Sequence, residues 1–261
     1  FNKKETSLVP NNNNMFNAKS LATLTLAVLG AFAVAFLVFN GMPAKTELRT
    51  TDIELFGDDQ RPIFIGIFAE GDPLPAIKQF IQGFMEETIE MFPGNEDLEQ
   101  NYQDLLAGNM TQMKPVADYH ITTLYIGNNL TQMETPNYKQ FVEGIEMNIE
   151  VSVVVYVPNK IYAGYCIVNQ SIVMVDNKFP HLTLLTGDWS AVKSNNLINA
   201  VFGTGAPYEK EFQAGVFTEE GTSFVREFTT KVDDEVVIGY IVKIPQRFTL
   251  PAVTKKAYHY Q

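Results

Sequence analysis

The chain has 261 residues, 46% of them apolar, and a formal net charge of −11 from 30 acidic against 19 basic side chains. Once an N-terminal apolar segment is set aside, that length suffices for one globular domain with a sizeable core or two small intertwined lobes. A charge so negative, without any Lys- or Arg-rich run, argues against general nucleic-acid coating and sequence-specific DNA binding, which need a basic stripe. It favours small nucleotides or strand ends.

Residues 1–20 read as a polar tail, with the run Asn11 to Asn14 and Met15 as a candidate true start. From Leu21 to Phe39 no residue is charged, which approaches the length of a bilayer span and exceeds the usual signal-peptide core. Segment 21–39 is therefore expected to be a signal-anchor (transmembrane) helix, ahead of a cleaved signal peptide. Ala44 suits a cleavage site, but Met42 is larger than the preferred small residue. Residues 40–61 form a linker and residues 62–261 the domain. Either topology places the domain in the secretory lumen or outside the cell, membrane-anchored or secreted. Three sequons, Asn109-Met110-Thr111, Asn129-Leu130-Thr131 and Asn169-Gln170-Ser171, agree with a glycoprotein. A mitochondrial membrane is the alternative, though the segment lacks the Arg-rich character of a transit peptide.

Within the domain, Ile63 to Phe68 reads as a strand. Leu74, Ile77, Phe80, Ile81, Phe84, Met85 and Ile89 mark the apolar stripe of a helix ended by Pro93-Gly94. A second helix is expected over Asn95 to Ala107, with Gly108 as its stop. Strands follow at Tyr119 to Ile126, Ile149 to Val157, Ile161 to Val168 around the turn Pro158-Asn159, and His181 to Thr186. Ser194 is placed to cap a short helix carrying Leu197, Ile198, Val201 and Phe202, closed by Gly203. Thr222 to Thr230 and Glu235 to Ile244 read as a hairpin turned at Asp233-Asp234, acidic residues that suit a turn better than a metal site. Cys166, the single cysteine, lies in the apolar run Tyr165-Cys166-Ile167-Val168 and reads as a small buried hydrophobe.

Chemistry concentrates on His120 and His181. Each opens a β-like run and each has a threonine two places on, Thr122 and Thr183. Strand side chains alternate with period two, so each His–Thr pair projects from one face. Two imidazoles suit metal-free phosphodiester hydrolysis, because one takes a proton from water while the other gives one to the leaving oxygen. Threonine hydroxyls donate to non-bridging phosphate oxygens. No Asp or Glu completes a recognisable metal-ligand spacing, so neither metal nor cofactor is expected. His259, without a following Thr, reads as silent surface. Lys160, Lys178, Lys193 and Arg226 are the cations available for a basic cleft, with solvated surface as the plainer reading. Tyr125, Tyr165, Phe179 and Trp189 are the candidate stacking partners for a base, with core as the plainer reading.

The pair His120-Ile121-Thr122 and His181-Leu182-Thr183, with Phe179-Pro180 before the second motif and Lys193-Ser194-Asn195 after it, resembles the 2H phosphoesterase superfamily. The context is similar to the RNA-repair and tRNA-ligase cyclic phosphodiesterase branch, over residues 62–203. The resemblance implies an α+β, two-lobed fold with antiparallel sheets lining a central cleft and helices outside, here preceded by one N-terminal hydrophobic helix. It implies a cyclic nucleotide or RNA phosphodiesterase, a hydrolase of 2',3'-cyclic phosphates or related cyclic or 2'-5' phosphodiesters. His120 and His181 would be acid and base, with a lean to His181 as the base, and Thr122 and Thr183 would hold phosphate. The alternative is a non-catalytic binding or assembly subunit on the same fold.

Overall fold

The computed structural model describes residues 61–258. The expected tail, the apolar segment 21–39, most of the linker and His259 lie outside the described residues. Among the described residues no helix is long and apolar enough to cross a membrane.

The fold is α+β, built on one antiparallel sheet. Its strands are β1 (Pro62–Ala69), β2 (Lys114–Pro115), β3 (His120–Tyr125), β4 (Glu146–Val157), β5 (Ile161–Ile167), β6 (His181–Thr186), β7 (Phe224–Val232) and β8 (Glu235–Tyr258). Their order is β2-β6-β5-β4-β8-β1-β3, with β7 also paired to β8. The helices are α1 (Leu74–Met91), α2 (Glu96–Leu106), α3 (Pro136–Lys139), α4 (Lys193–Phe202) and α5 (Glu209–Gln213).

Local sequence explains the main elements. Pro73 is the N-cap of helix α1, which carries Pro75 in its first turn, where the missing N–H costs nothing. It buries Ile77, Ile81, Phe84, Met85 and Thr88 at helical spacing. Asn95 then caps α2 by accepting the Leu98 N–H at 3.0 Å, and Glu96, Asp97 and Glu99 in its first turn complement the helix dipole. Ser194 does not cap α4. The helix begins one residue earlier, and the Ser194 hydroxyl instead donates to the Ala191 carbonyl at 2.6 Å.

Strand β8 runs 24 residues, far beyond the expected Glu235 to Ile244. Pro245 and Pro251 suggest breaks, yet the strand absorbs both. Pairing with β4 jumps from Lys243↔Val153 to Phe248↔Val151, so Pro245 sits in a bulge where no ladder bond is needed. Arg247 pins this bulge by its ion pair to Glu150 at 2.7 Å. Pro251 falls where β1 stops, just past the Ala69↔Ala252 pair. The two halves expected from the sequence are thus parts of one sheet, carried across by β4 and β8.

Two cores form on opposite faces. Helices α1 and α2 pack on one face with Ile67, Ile121, Val151, Val154, Tyr156, Leu182 and Val242. On the other face Leu197, Ile198, Val201 and Phe202 of α4 pack with Val153, Val155, Ala163 and Ile241. At the β3 end this second face stays half-open at Phe64, Phe68, His120 and Thr122.

Curvature brings the strand ends together. Between β6 and β3 lie five strand spacings, about 24 Å if the sheet were flat. Cα atoms of β3 and β6 nevertheless approach within 8 Å, and the Asp176 N–H before β6 donates to the Thr123 carbonyl of β3 at 2.8 Å. The sheet therefore curls until its two His–Thr strands meet.

Candidate active site

Strands β3 and β6 share one burial pattern. In both, residues one and three are half-exposed while residues two, four and five are buried. His120 and Thr122 lie opposite Phe68 and Gly66 of β1, while Ile121 and Ile67 point the other way beneath α1. His181 and Thr183 lie opposite Tyr165 and Ala163 of β5, which pack on the α4 side. Both His–Thr pairs therefore project from the face turned away from α1 and α2, and the curl of the sheet sets them side by side.

Each imidazole is anchored in the same way. His120 Nδ1 is 3.1 Å from the Asp118 carbonyl, and His181 Nδ1 is 2.9 Å from the Phe179 carbonyl. A carbonyl only accepts, so Nδ1 holds the hydrogen of the neutral ring and Nε2 is left as the basic nitrogen. Asn177 steadies the second anchor, since its Oδ1 accepts the Phe179 N–H at 3.1 Å.

The two rings differ in their surroundings. His120 is stacked against Phe64 and Phe68, with centroids 4.6 and 5.1 Å away. Burial pushes its pKa below the ordinary value, while the Asp118 carbonyl and the Asp118 charge oppose that shift. Burial also pushes His181 down; the Phe179 carbonyl opposes this, and the charge of His120 pushes His181 lower still. Mutual repulsion makes double protonation costly, so the pair takes its first proton together and resists the second. Asp118 and the two aromatic faces make His120 the better seat for that proton.

The threonines differ too. Thr183 donates to Ser194 Oγ at 3.0 Å, and Ser194 in turn donates to Ala191. Thr122 has no hydrogen-bond partner for its hydroxyl among the described residues and faces the half-open side. Thr123, next along, is buried on the other face and donates to the Ile65 carbonyl.

Three of the four expected cations are held elsewhere. Lys160 pairs with Glu235, Lys193 with Asp233, and Arg226 with Glu211. Of the four, Lys178 alone has no carboxylate partner among the described residues, and its ammonium lies 5.1 Å over the Phe179 ring. The aromatic candidates are occupied as well. Phe179 and Trp189 are buried, Trp189 donates to Glu235, and Tyr165 packs edge-on to Phe212. Tyr125 is exposed and, past the irregularity that shifts the β1–β3 register, lies opposite Phe64. Cys166 is fully buried in the core, where burial pushes its thiol pKa up, as befits an inert side chain.

Phe64, Phe68 and Asn177 escaped sequence reading. The signal for the first two was present, because a strand over Ile63 to Phe68 puts Phe64, Gly66 and Phe68 on one face. Nothing local indicated that β1 would pair with the first His–Thr strand. Among the described residues no three His, Cys, Asp or Glu side chains gather as a metal site.

No family model matches the chain, and no curated protein matches it in sequence. Among solved structures it is similar to the crystal structure of a fungal RNA kinase, with 13% identity and a TM-score of 0.43. The match covers 97% of this chain and 62% of that one, so the chain spans less than two thirds of that protein's length. A likeness at this level assigns no activity.

Proposed function

We propose that the domain is a two-lobed, 2H phosphoesterase-like, metal-independent phosphodiesterase acting on 2',3'-cyclic phosphates or related cyclic or 2'-5' phosphodiesters of RNA ends or nucleotides. The observation that carries this reading is the matched pair of imidazoles, each tied through Nδ1 to the carbonyl two residues upstream, on strands that the curled sheet brings together. Neutral His181 takes a proton from water through Nε2 as the water oxygen bonds to phosphorus. Protonated His120 gives its Nε2 proton to the ribose oxygen as the P–O bond to it breaks. The cycle leaves the proton on His181, and exchange with solvent returns it to His120. Thr122 donates to a non-bridging oxygen, which gathers negative charge as the bond forms. Thr183 does the same once its proton turns from Ser194 to the ligand.

Segment 21–39 anchors or delivers the domain across a membrane. The sequon residues Asn109, Asn129 and Asn169, all exposed, support that topology.

The test is hydrolysis of the four nucleoside 2',3'-cyclic monophosphates in EDTA by the full chain, beside His120→Ala and His181→Ala, with the product followed by phosphorus NMR. Turnover in the wild type and its loss by at least 10²-fold in each variant is the expected result. No turnover by folded wild type, on these or on 2'-5' linked dinucleotides, would leave the non-catalytic binding module as the reading.

A further inference from the structure

The last turn of the sheet adds a group that the catalytic reading does not use. Strand β1 pairs with β3 on one side and with the end of β8 on the other, and Gly66 lies opposite both Thr122 and Lys255. Directly opposed residues of antiparallel strands project to the same side. Thr122, Gly66 and Lys255 therefore form one row across three strands, on the face that carries His120. Alternation along β8 agrees. Lys256 points the other way, where it pairs with Glu143 and lies over Tyr138, and Thr254 is buried. Lys255 is exposed, and its ammonium has no ion-pair or hydrogen-bond partner among the described residues.

The middle of the row is a glycine for a physical reason. A Cβ at Gly66 would lie 2.6 Å from the Ile121 carbonyl oxygen, so close backbone approach requires glycine there. The Phe68 ring, stacked on Phe64, comes within 3.4 Å of that Cβ position, so aromatic rings lie between Thr122 and Lys255. Two strand spacings separate their Cα atoms by about 9.6 Å. With the Phe64 and Phe68 rings between them, the ammonium is set apart from the Thr122 hydroxyl and suits a neighbouring phosphate of the same strand.

We propose that Lys255 binds the backbone phosphate adjacent to the reacting one, so that the substrate is an RNA strand end and not a free cyclic mononucleotide. The inference rests on the catalytic reading above. It also fits the charge: in a chain of net charge −11, one ammonium on the His120 face that meets no carboxylate among the described residues recruits a strand end without coating RNA at large.

The experiment compares a nucleoside 2',3'-cyclic monophosphate with a dinucleotide bearing the same terminal cyclic phosphate, which differs by one internal phosphodiester. In Lys255→Gln the KM for the dinucleotide rises roughly three- to tenfold, while that for the monophosphate and both kcat values stay unchanged. The slope of log KM against log salt for the dinucleotide falls by about 0.7, the loss of one contact on a single strand, and Lys255→Arg restores it. Equal effects on both substrates, or none on either, overturn the proposal. If the wild type hydrolyses neither substrate, the catalytic reading has failed separately. Calorimetry with a 3'-phosphorylated dinucleotide then decides the lysine: weaker binding by Lys255→Gln supports it, and equal binding overturns it.

Discussion

Replacing Phe64 and Phe68 together by leucine separates the two histidines experimentally. Leucine keeps apolar bulk beside His120, so the desolvation that lowers its pKa is largely retained. What is lost is the negative π-face of each ring, now 4.6 and 5.1 Å from the imidazole centroid. A cation within about 6 Å of a ring face gains roughly 1 kcal/mol, and 1.36 kcal/mol corresponds to one pKa unit. Removing both faces thus lowers the His120 pKa by about 1 unit. If His120 is the acid, kcat/KM falls off at lower pH, and the alkaline limb of the pH profile moves down by that amount. The acid limb, set by His181, stays in place, so the optimum narrows and shifts to lower pH. Stopped assays between pH 4.5 and 8.5 on wild type and variant measure both limbs. Movement of the acid limb instead, or an unmoved alkaline limb in a variant that melts normally, refutes the assignment of the proton to His120.

Three further outcomes follow from the geometry. Both histidines have folded-state pKa values below the unfolded value of about 6.5, so the unfolded chain binds more protons below that pH. Stability is full above about 6.5 and is lost as pH falls towards the folded values; the thermal midpoint drops over that window, and less so in His120→Gln and His181→Gln. Ser194→Ala removes the acceptor of Thr183 and the donor to Ala191; it costs about 1 to 3 kcal/mol by urea denaturation and leaves KM unraised, because the Thr183 proton is freed for the ligand. Asn101 is buried, donates to Gln112 and Asn159, and accepts from the Asn159 N–H and the Tyr162 hydroxyl. Asn101→Ala strands these partners and lowers the unfolding free energy by roughly 2 to 4 kcal/mol, with kcat unchanged in the fraction that remains folded.

Local pattern made much of this legible. The stripe from Ile77 to Met85, the Pro93-Gly94 stop and the His–Thr alternation are short-range signals, and the chain obeys them because each element buries the face its own sequence makes apolar. Pairing was not legible in the same way. Strand β8 hid behind Pro245 and Pro251, since a proline looks like a strand breaker unless its partner is known to bulge or end there. The α4 start was misplaced for a related reason: a buried Ser194 hydroxyl satisfies Ala191 and Thr183 better than it would an N-terminal amide. The cations failed as cleft residues because Lys160 and Lys193 meet carboxylates brought by the β7–β8 turn, and Arg226 meets one on α5. Those meetings depend on tertiary structure alone.

The same dependence explains why the site needs the C-terminal strand. Among the described residues, His120 is on a strand that pairs only with β1, and β1 is joined to the rest of the sheet only through the second half of β8. The first half of β8 lies between β4 and β7 beside the core under α4. One continuous strand therefore sets the position of His120 relative to His181, and the bulge at Ile244 to Arg247 is the point where its course changes. A bulge bends its strand and increases the local twist, so the gap between the two imidazoles is governed some distance from either of them. The Arg247–Glu150 ion pair across that bulge, 2.7 Å long and partly exposed, contributes little to global stability as a surface pair. Its effect is on geometry: Arg247→Ala is expected to lower kcat on cyclic phosphates several-fold while the thermal midpoint changes by no more than a degree or two, and an unchanged kcat would separate the bulge from the spacing of the histidines.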